Sequence, residues 1–193
     1  MNPYENCPVF ENENYRLCLV SMEDAEDLLK VYSDEKAVPF FNSDNCHGDD
    51  FHYTTAERMR EAVQFWEDSW RWRYFVRWAI RDKRAGEAIG TIELFHRESE
   101  DYFNHYGLLR LDLRSDYERA EQIEEILRLI LKSAFELFDC EKIATKIPGD
   151  ALERKCAMEK LGFAASEEKL IGGHDGKAYS DYYVLRMEAG REE

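Results

Sequence analysis

Three side chains near the middle of the chain are of types suited to proton transfer. Glu93 and His96 fall in GTIELFH and Asp112 falls in GLLRLDLR, on or beside what read as central strands. Taken singly, each reads first as a solvated strand-face residue. Arg114 and Arg119 carry guanidinium forks that bind phosphate bidentately. Beside Asp116, Glu118 and Glu121 they serve as well as neutralising surface partners. Cys46, His47, Asp49, Asp50 and His52 are metal-ligand types gathered in NSDNCHGDDFHYTT, but none of the regular spacings of zinc sites is present and no metal is expected. Cys156 has no paired His in the sequence and reads as a small buried side chain, and His174 in GGHDG reads as a hairpin tip.

These groups need strands and helices to hold them. YRLCLV alternates as a strand, and SMEDAEDLLKVYSDE opens a helix with Ser21 as N-cap and acids in its first turn. Thr54 or Thr55 can cap a second helix that carries Met59, Val63 and Trp66 on one side. YFVRWAIRDKRAGEAIGTIELF gives two period-two strands around a turn in which Gly86 supplies a positive φ. GLLRLDLR sets Leu109, Leu111 and Leu113 on one face of a further strand. From Arg119 to Phe138 the apolar residues Ile123, Ile126, Leu127, Ile130, Leu131, Ala134, Phe135 and Phe138 predict one long amphipathic helix. KIATKI follows as a strand parallel to GLLRLDLR across that helix. A shorter helix from about Ala151 ends at Gly162, and AASEEKLIGG and YSDYYVLRM flank GGHDG as a terminal hairpin.

Composition bounds the rest. One domain spanning 1–193 is expected, with its core over about 15–187 and a polar tail, EAGREE. A formal charge of -15, with Lys and Arg scattered, argues against nucleic acid as a partner. No apolar run approaches a membrane span and the first residues lack signal-peptide features, so a cytoplasmic protein with no membrane partner is expected. Five cysteines at irregular spacing fit free thiols. Trp66, Trp70, Trp72, Tyr74 and Phe75 are core by default, with a homodimer interface as the alternative.

The order β α α β β β α β α β β, with FVRWAIRDKRAGEAIGTIELF in its middle and MEKLGF closing the last helix, resembles the GCN5-related N-acetyltransferase (GNAT) superfamily. The opening YRLCLVSMEDAEDLLKVYSDEKAVPFFN is similar to the branch that acetylates ribosomal-protein N-termini. The resemblance implies an α/β (α+β) fold with a mixed, mostly antiparallel sheet of about seven strands flanked by four helices. It implies transfer of an acetyl group from acetyl-CoA to a primary amine, a peptide N-terminus or a small amine. The cofactor would lie between the fourth and fifth strands, with Leu111, Leu113 and Arg114 along the strand edge. Main-chain groups of Arg119, Ala120, Glu121, Gln122 and Ile123 would stand at its diphosphate. An N–H around Leu113 would stabilise the acetyl oxyanion, and Glu93 or Asp112 would act as general base on the amine. The acidic loop around Cys46 would lie near the acceptor entrance, where it would attract a cationic amine or serve equally as a solvated loop.

Several positions depart from the family pattern. Glu118 stands at the Gln or Arg of its phosphate motif, Glu121 at the glycine and Ile123 at the final small residue. The last helix has Ala151 for the family's Asn and Arg154 for its Ser, and Met158 stands where some branches place a tyrosine acid. A carboxylate about 4 Å from a phosphate charge near a protein surface costs on the order of 4 kcal/mol. Two readings follow: an acetyl-CoA-dependent enzyme, or a member of the fold that no longer binds acetyl-CoA normally and works as a binding or regulatory module.

Overall fold

A computed structural model describes residues 2–187. The expected tail EAGREE lies outside the described residues. Ten strands are present among them: β1 (Phe10–Glu11), β2 (Tyr15–Leu19), β3 (Val76–Asp82), β4 (Glu87–Arg97), β5 (Tyr106–Leu113), β6 (Lys142–Lys146), β7 (Ala164–Ala165), β8 (Leu170–Ile171), β9 (Ala178–Tyr179) and β10 (Tyr182–Arg186). The helices are α1 (Ala25–Tyr32), α2 (Ala56–Arg71), α3 (Ala120–Arg128), α4 (Leu131–Leu137) and α5 (Leu152–Lys160). Eight strands form one sheet in the order β1-β2-β3-β4-β5-β6-β10-β7. All its pairs are antiparallel except β5 with β6, which α3 and α4 connect. This is the expected mixed sheet, with one more strand and one more helix than predicted.

The alternation read in the sequence sorts the two faces of the sheet. Trp78, Ile80, Ile92, Leu94, Leu109, Leu111 and Leu113 meet Ile123, Ile126 and Leu127 of α3. On the other face Ala79 and Ala88 pack under Leu28, Tyr32, Met59, Val63 and Trp66 of α1 and α2. Thr55 caps α2 by accepting from the Arg58 N–H at 3.2 Å. A third apolar group, including Phe103, Leu108, Leu170 and Tyr182, lies beneath the β8–β9 hairpin.

Four expectations are corrected. Cys156, read as a small buried side chain, is exposed on α5. The single helix from Arg119 to Phe138 is two helices. Leu129 and Ile130 bond three residues back, to Ile126 and Leu127, and this tighter turn divides the helix while keeping Ile130 in the core. The terminal hairpin is divided: β8 pairs only with β9, whereas β7 pairs with β10, and Asp181 at φ 68 ends the continuity between β9 and β10. Of the aromatic block, Trp66 is buried, but Trp72 and Tyr74 are exposed just beyond the end of α2.

Candidate functional site

The strand expected fourth is β5 and the fifth is β6. Their pairing runs only from Gly107 with Ile143 to Leu109 with Thr145. Beyond Leu109 the rest of β5 has no partner on that side, which is the divergence the resemblance implied. The opening contains side chains. Arg154, in the first turn of α5 and 2 % exposed, donates from Nη1 to the carbonyls of Leu111 and Phe40, each at 2.8 Å. Its Nη2 and Nε donate to the Glu118 carboxylate, which follows the short 3-10 turn Ser115–Tyr117. One guanidinium thus ties β5, α5, the Val38–Phe40 turn and the segment leading into α3. Its charge is balanced where both partners are buried.

The head of α3 is closed in the same way. Arg119 occupies the N-cap position and contributes no side-chain cap. The first helical N–H, that of Ala120, donates to the Glu153 carboxylate of α5 at 2.8 Å. A carboxylate there satisfies an orphan donor and complements the positive end of the helix. Of the other residues expected at a diphosphate, three are engaged elsewhere or buried. Arg114 is bound to Asp116 and Glu87, Gln122 donates to the Tyr15 hydroxyl at 3.3 Å, and Ile123 is fully in the core. Glu121 and Arg119 are exposed. Leu111 and Leu113 bury their side chains against α3. With the Leu111 carbonyl and the Ala120 amide both committed to α5, the residues in this opening do not fit acetyl-CoA as the resemblance placed it.

Glu93 and Asp112 meet on the α1/α2 face at Arg77. Arg77 Nη2 donates to Glu93, and Nη1 donates to Asp112 at 3.1 Å and to Thr91 at 3.0 Å. Arg110 adds a second bond to Glu93 at 2.6 Å, and the Tyr32 hydroxyl donates to Asp112 at 2.7 Å. Trp66 covers Arg77, its ring 4.2 Å from the guanidinium carbon. The two carboxyls are pushed in opposite directions from their ordinary range. Burial pushes Asp112 up, and Arg77 and Tyr32 offset that only in part. Burial acts on Glu93 too, but Arg77 and then Arg110 outweigh it and hold the group below its usual range. A split of this kind can mark an acid and base pair. Here Glu93 is 2 % and Asp112 1 % exposed, so no amine acceptor reaches either carboxylate from solvent in this conformation. His96, the third candidate, bonds the Phe138 carbonyl through Nδ1 and His105 through Nε2.

A cavity of about 610 Å³ opens on the same side of the sheet, between the end of β4, residues 98–101, the β8–β9 hairpin and the loop at Asp44. Phe95, Leu108, Leu170 and Tyr182 give it an apolar floor. Its cations have internal partners: Arg97 holds Asp101 and the Ile171 carbonyl, and Arg110 holds Glu93 and the Asp44 carbonyl. Asp44 is in turn held by Lys146, 2.7 Å away. Glu98 and Glu100, on the rim, are exposed and make no ion pair among the described residues. The loop of metal-ligand types reaches this cavity through the tilted contact of His47 with His174, centroids 3.9 Å apart, at the hairpin tip. Among the described residues no group of three or more His, Cys, Asp and Glu is arranged to hold a metal ion. None of the helices described is long and apolar enough to cross a membrane.

The sequence singled out Glu118 and Arg154 as separate departures and did not pair them. Glu153, Arg77 and Tyr32 were missed. The one signal for Glu153 was its place beside Arg154 in the first turn of α5.

Several solved structures share this fold. The chain is similar to a ribosomal L7/L12 alpha-N-protein acetyltransferase solved in complex with coenzyme A, at TM-score 0.69 and 13% identity, over 95% of this chain and 100% of that one. It is similar to a ribosomal-protein-S5-alanine acetyltransferase from Vibrio fischeri, at TM-score 0.67 and 16% identity over 94% and 98%. A GNAT-family acetyltransferase from Bacillus anthracis gives TM-score 0.66 and 15% identity over 93% and 98%. Likeness at such identities carries the fold alone. No curated protein sequence matches the chain. The family itself is shown by sequence: residues 16–164, most of the two-faced sheet and the helices that cover it, match the acetyltransferase (GNAT) domain, and the chain belongs to that family.

Proposed function

We propose that this protein keeps the acceptor half of the family's reaction and works as a binding module for an amine-bearing ligand, a peptide N-terminus or a small amine. The observation that carries this reading is the cavity between β4, residues 98–101 and the β8–β9 hairpin, where the cations are already paired and the two unpaired charges are the carboxylates of Glu98 and Glu100. An ammonium group would sit at this rim while an apolar body covers Phe95 and Leu108. Arg77 holds Glu93 and Asp112 in a buried cluster, and no proton-transfer step is assigned to either. Acetyl transfer from acetyl-CoA is the second reading, favoured by the family match.

Calorimetric titration with a short peptide of apolar N-terminal residue, against the same peptide N-acetylated, tests the proposal. Saturable binding of the free amine only, weakened at least tenfold in Glu98→Gln/Glu100→Gln, is expected. Equal behaviour of the two peptides contradicts it. Release of free thiol from acetyl-CoA in step with peptide acetylation would establish the second reading instead.

A further inference from the structure

We infer that the donor opening is filled by a surrogate for the coenzyme built from the chain's own side chains. Three observations converge. The Glu153 carboxylate takes the Ala120 N–H at the head of α3, where an anion is favoured by the helix and where the resemblance places the diphosphate. The Arg154 guanidinium takes the Leu111 carbonyl on the unpaired stretch of β5, where the resemblance places the pantetheine arm along the strand edge. Glu118, at the position of the family's phosphate-binding Gln or Arg, neutralises Arg154 instead of contacting a ligand. The departures at 118 and 154 are therefore one paired change, and Glu153 completes it.

The arrangement is self-consistent in charge and in hydrogen bonding. A carboxylate replaces a phosphate at the helix head. An N–H donor meets the strand carbonyl. The buried cation and anion, 2 % and 6 % exposed at their side chains, satisfy each other. The opening is also bridged from its far side by the Phe40 carbonyl, which accepts from the same Nη1. Coenzyme and closure compete for the same main-chain atoms, so coenzyme cannot enter while α5 keeps these contacts. This goes beyond the binding reading above and is independent of it: an amine can bind or fail to bind whichever way this test falls.

The test is calorimetric titration with coenzyme A, with circular dichroism and thermal melts as the check on folding. Wild-type protein is expected to show no saturable heat up to about 1 mM coenzyme. Glu118→Gln/Glu153→Ala/Arg154→Ser, which vacates all three positions, is expected to gain binding by at least tenfold over that limit. Saturable binding of coenzyme A by the wild type with a Kd below about 1 mM overturns the inference. A triple variant that melts cooperatively yet gains no affinity overturns it too. If the triple variant does not fold, Glu153→Ala alone decides: it leaves the buried pair in place and frees the Ala120 N–H. Inorganic pyrophosphate should then bind this variant at least fivefold more tightly than wild type, and no gain refutes the surrogate.

Discussion

Removing Arg154 should be among the most costly single changes outside the apolar core. Its side chain is 2 % exposed, its partner Glu118 is 6 % exposed, and two main-chain carbonyls depend on the same Nη1. Truncation to Ala leaves the Glu118 carboxylate buried without its countercharge, a situation that costs about 3–5 kcal/mol. Some of that comes from the orphaned carbonyls of Phe40 and Leu111, since an unsatisfied buried acceptor costs about 1–3 kcal/mol. With a urea m-value of about 2 kcal/mol/M, a loss of about 4 kcal/mol moves the unfolding midpoint by about 2 M. The partner replacement behaves differently. Arg154→Met with Glu118→Gln removes both charges at similar volume, and exchange of a buried pair for neutral side chains is often close to neutral. A double-mutant cycle read by urea unfolding should therefore give a coupling of about 2 kcal/mol or more between the two positions. A cost below about 1 kcal/mol for Arg154→Ala, with no coupling, would place the pair among solvent-relaxed surface pairs and refute the reasoning.

Other outcomes follow from named contacts. Glu153→Ala removes the acceptor for the Ala120 N–H and should cost about 0.5–2 kcal/mol, as loss of a helix N-cap does, lowering the thermal midpoint in calorimetry by a few degrees. Gly90→Ala puts a Cβ 2.2 Å from the Asp112 carbonyl oxygen and 2.9 Å from Leu113 Cδ2, so β4 and β5 must separate; we expect little soluble protein on expression, and normal yield with an unchanged melt would contradict the tight approach. At Asp101, burial raises the carboxyl, but the Arg97 fork and the Ile171 N–H outweigh it, so its folded value lies below the unfolded one. Its stabilising contribution is full above the unfolded value of about 3.9 and is lost as pH falls through the lower folded value. Asp101→Asn should flatten the acid arm of a stability profile measured from about pH 5 downward, and an unchanged slope would count against that contact.

The order of elements was legible because each main element carries its own periodicity. The period of two in FVRWAIRD and GLLRLDLR, and the spacing of Ile123, Ile126 and Leu127, state a face and a partner without reference to distant residues. The break at Leu129 and Ile130 was not legible, since both segments continue one apolar stripe and neither glycine nor proline marks the turn. At the donor opening the sequence showed that Glu118 and Arg154 were unusual, but not that they answer one another. They lie 36 residues apart on elements that only the tertiary fold brings together. Arg77 falls at an alternate position of a period-two strand, where nothing local marks it. Its burial under Trp66, with Glu93 and Asp112, depends on α2 lying across that face. The exposure of Trp72 and Tyr74 was hidden for the opposite reason, because α2 ends before them and the helical spacing no longer applies.

The closure of the donor opening is most directly tested by a crystal structure grown in the presence of acetyl-CoA. The account predicts Arg154 on the Leu111 carbonyl and Glu153 on the Ala120 amide, with no coenzyme between β5 and β6. Coenzyme lying along Leu111 with its diphosphate on the first turn of α3, and α5 displaced from both atoms, would contradict it.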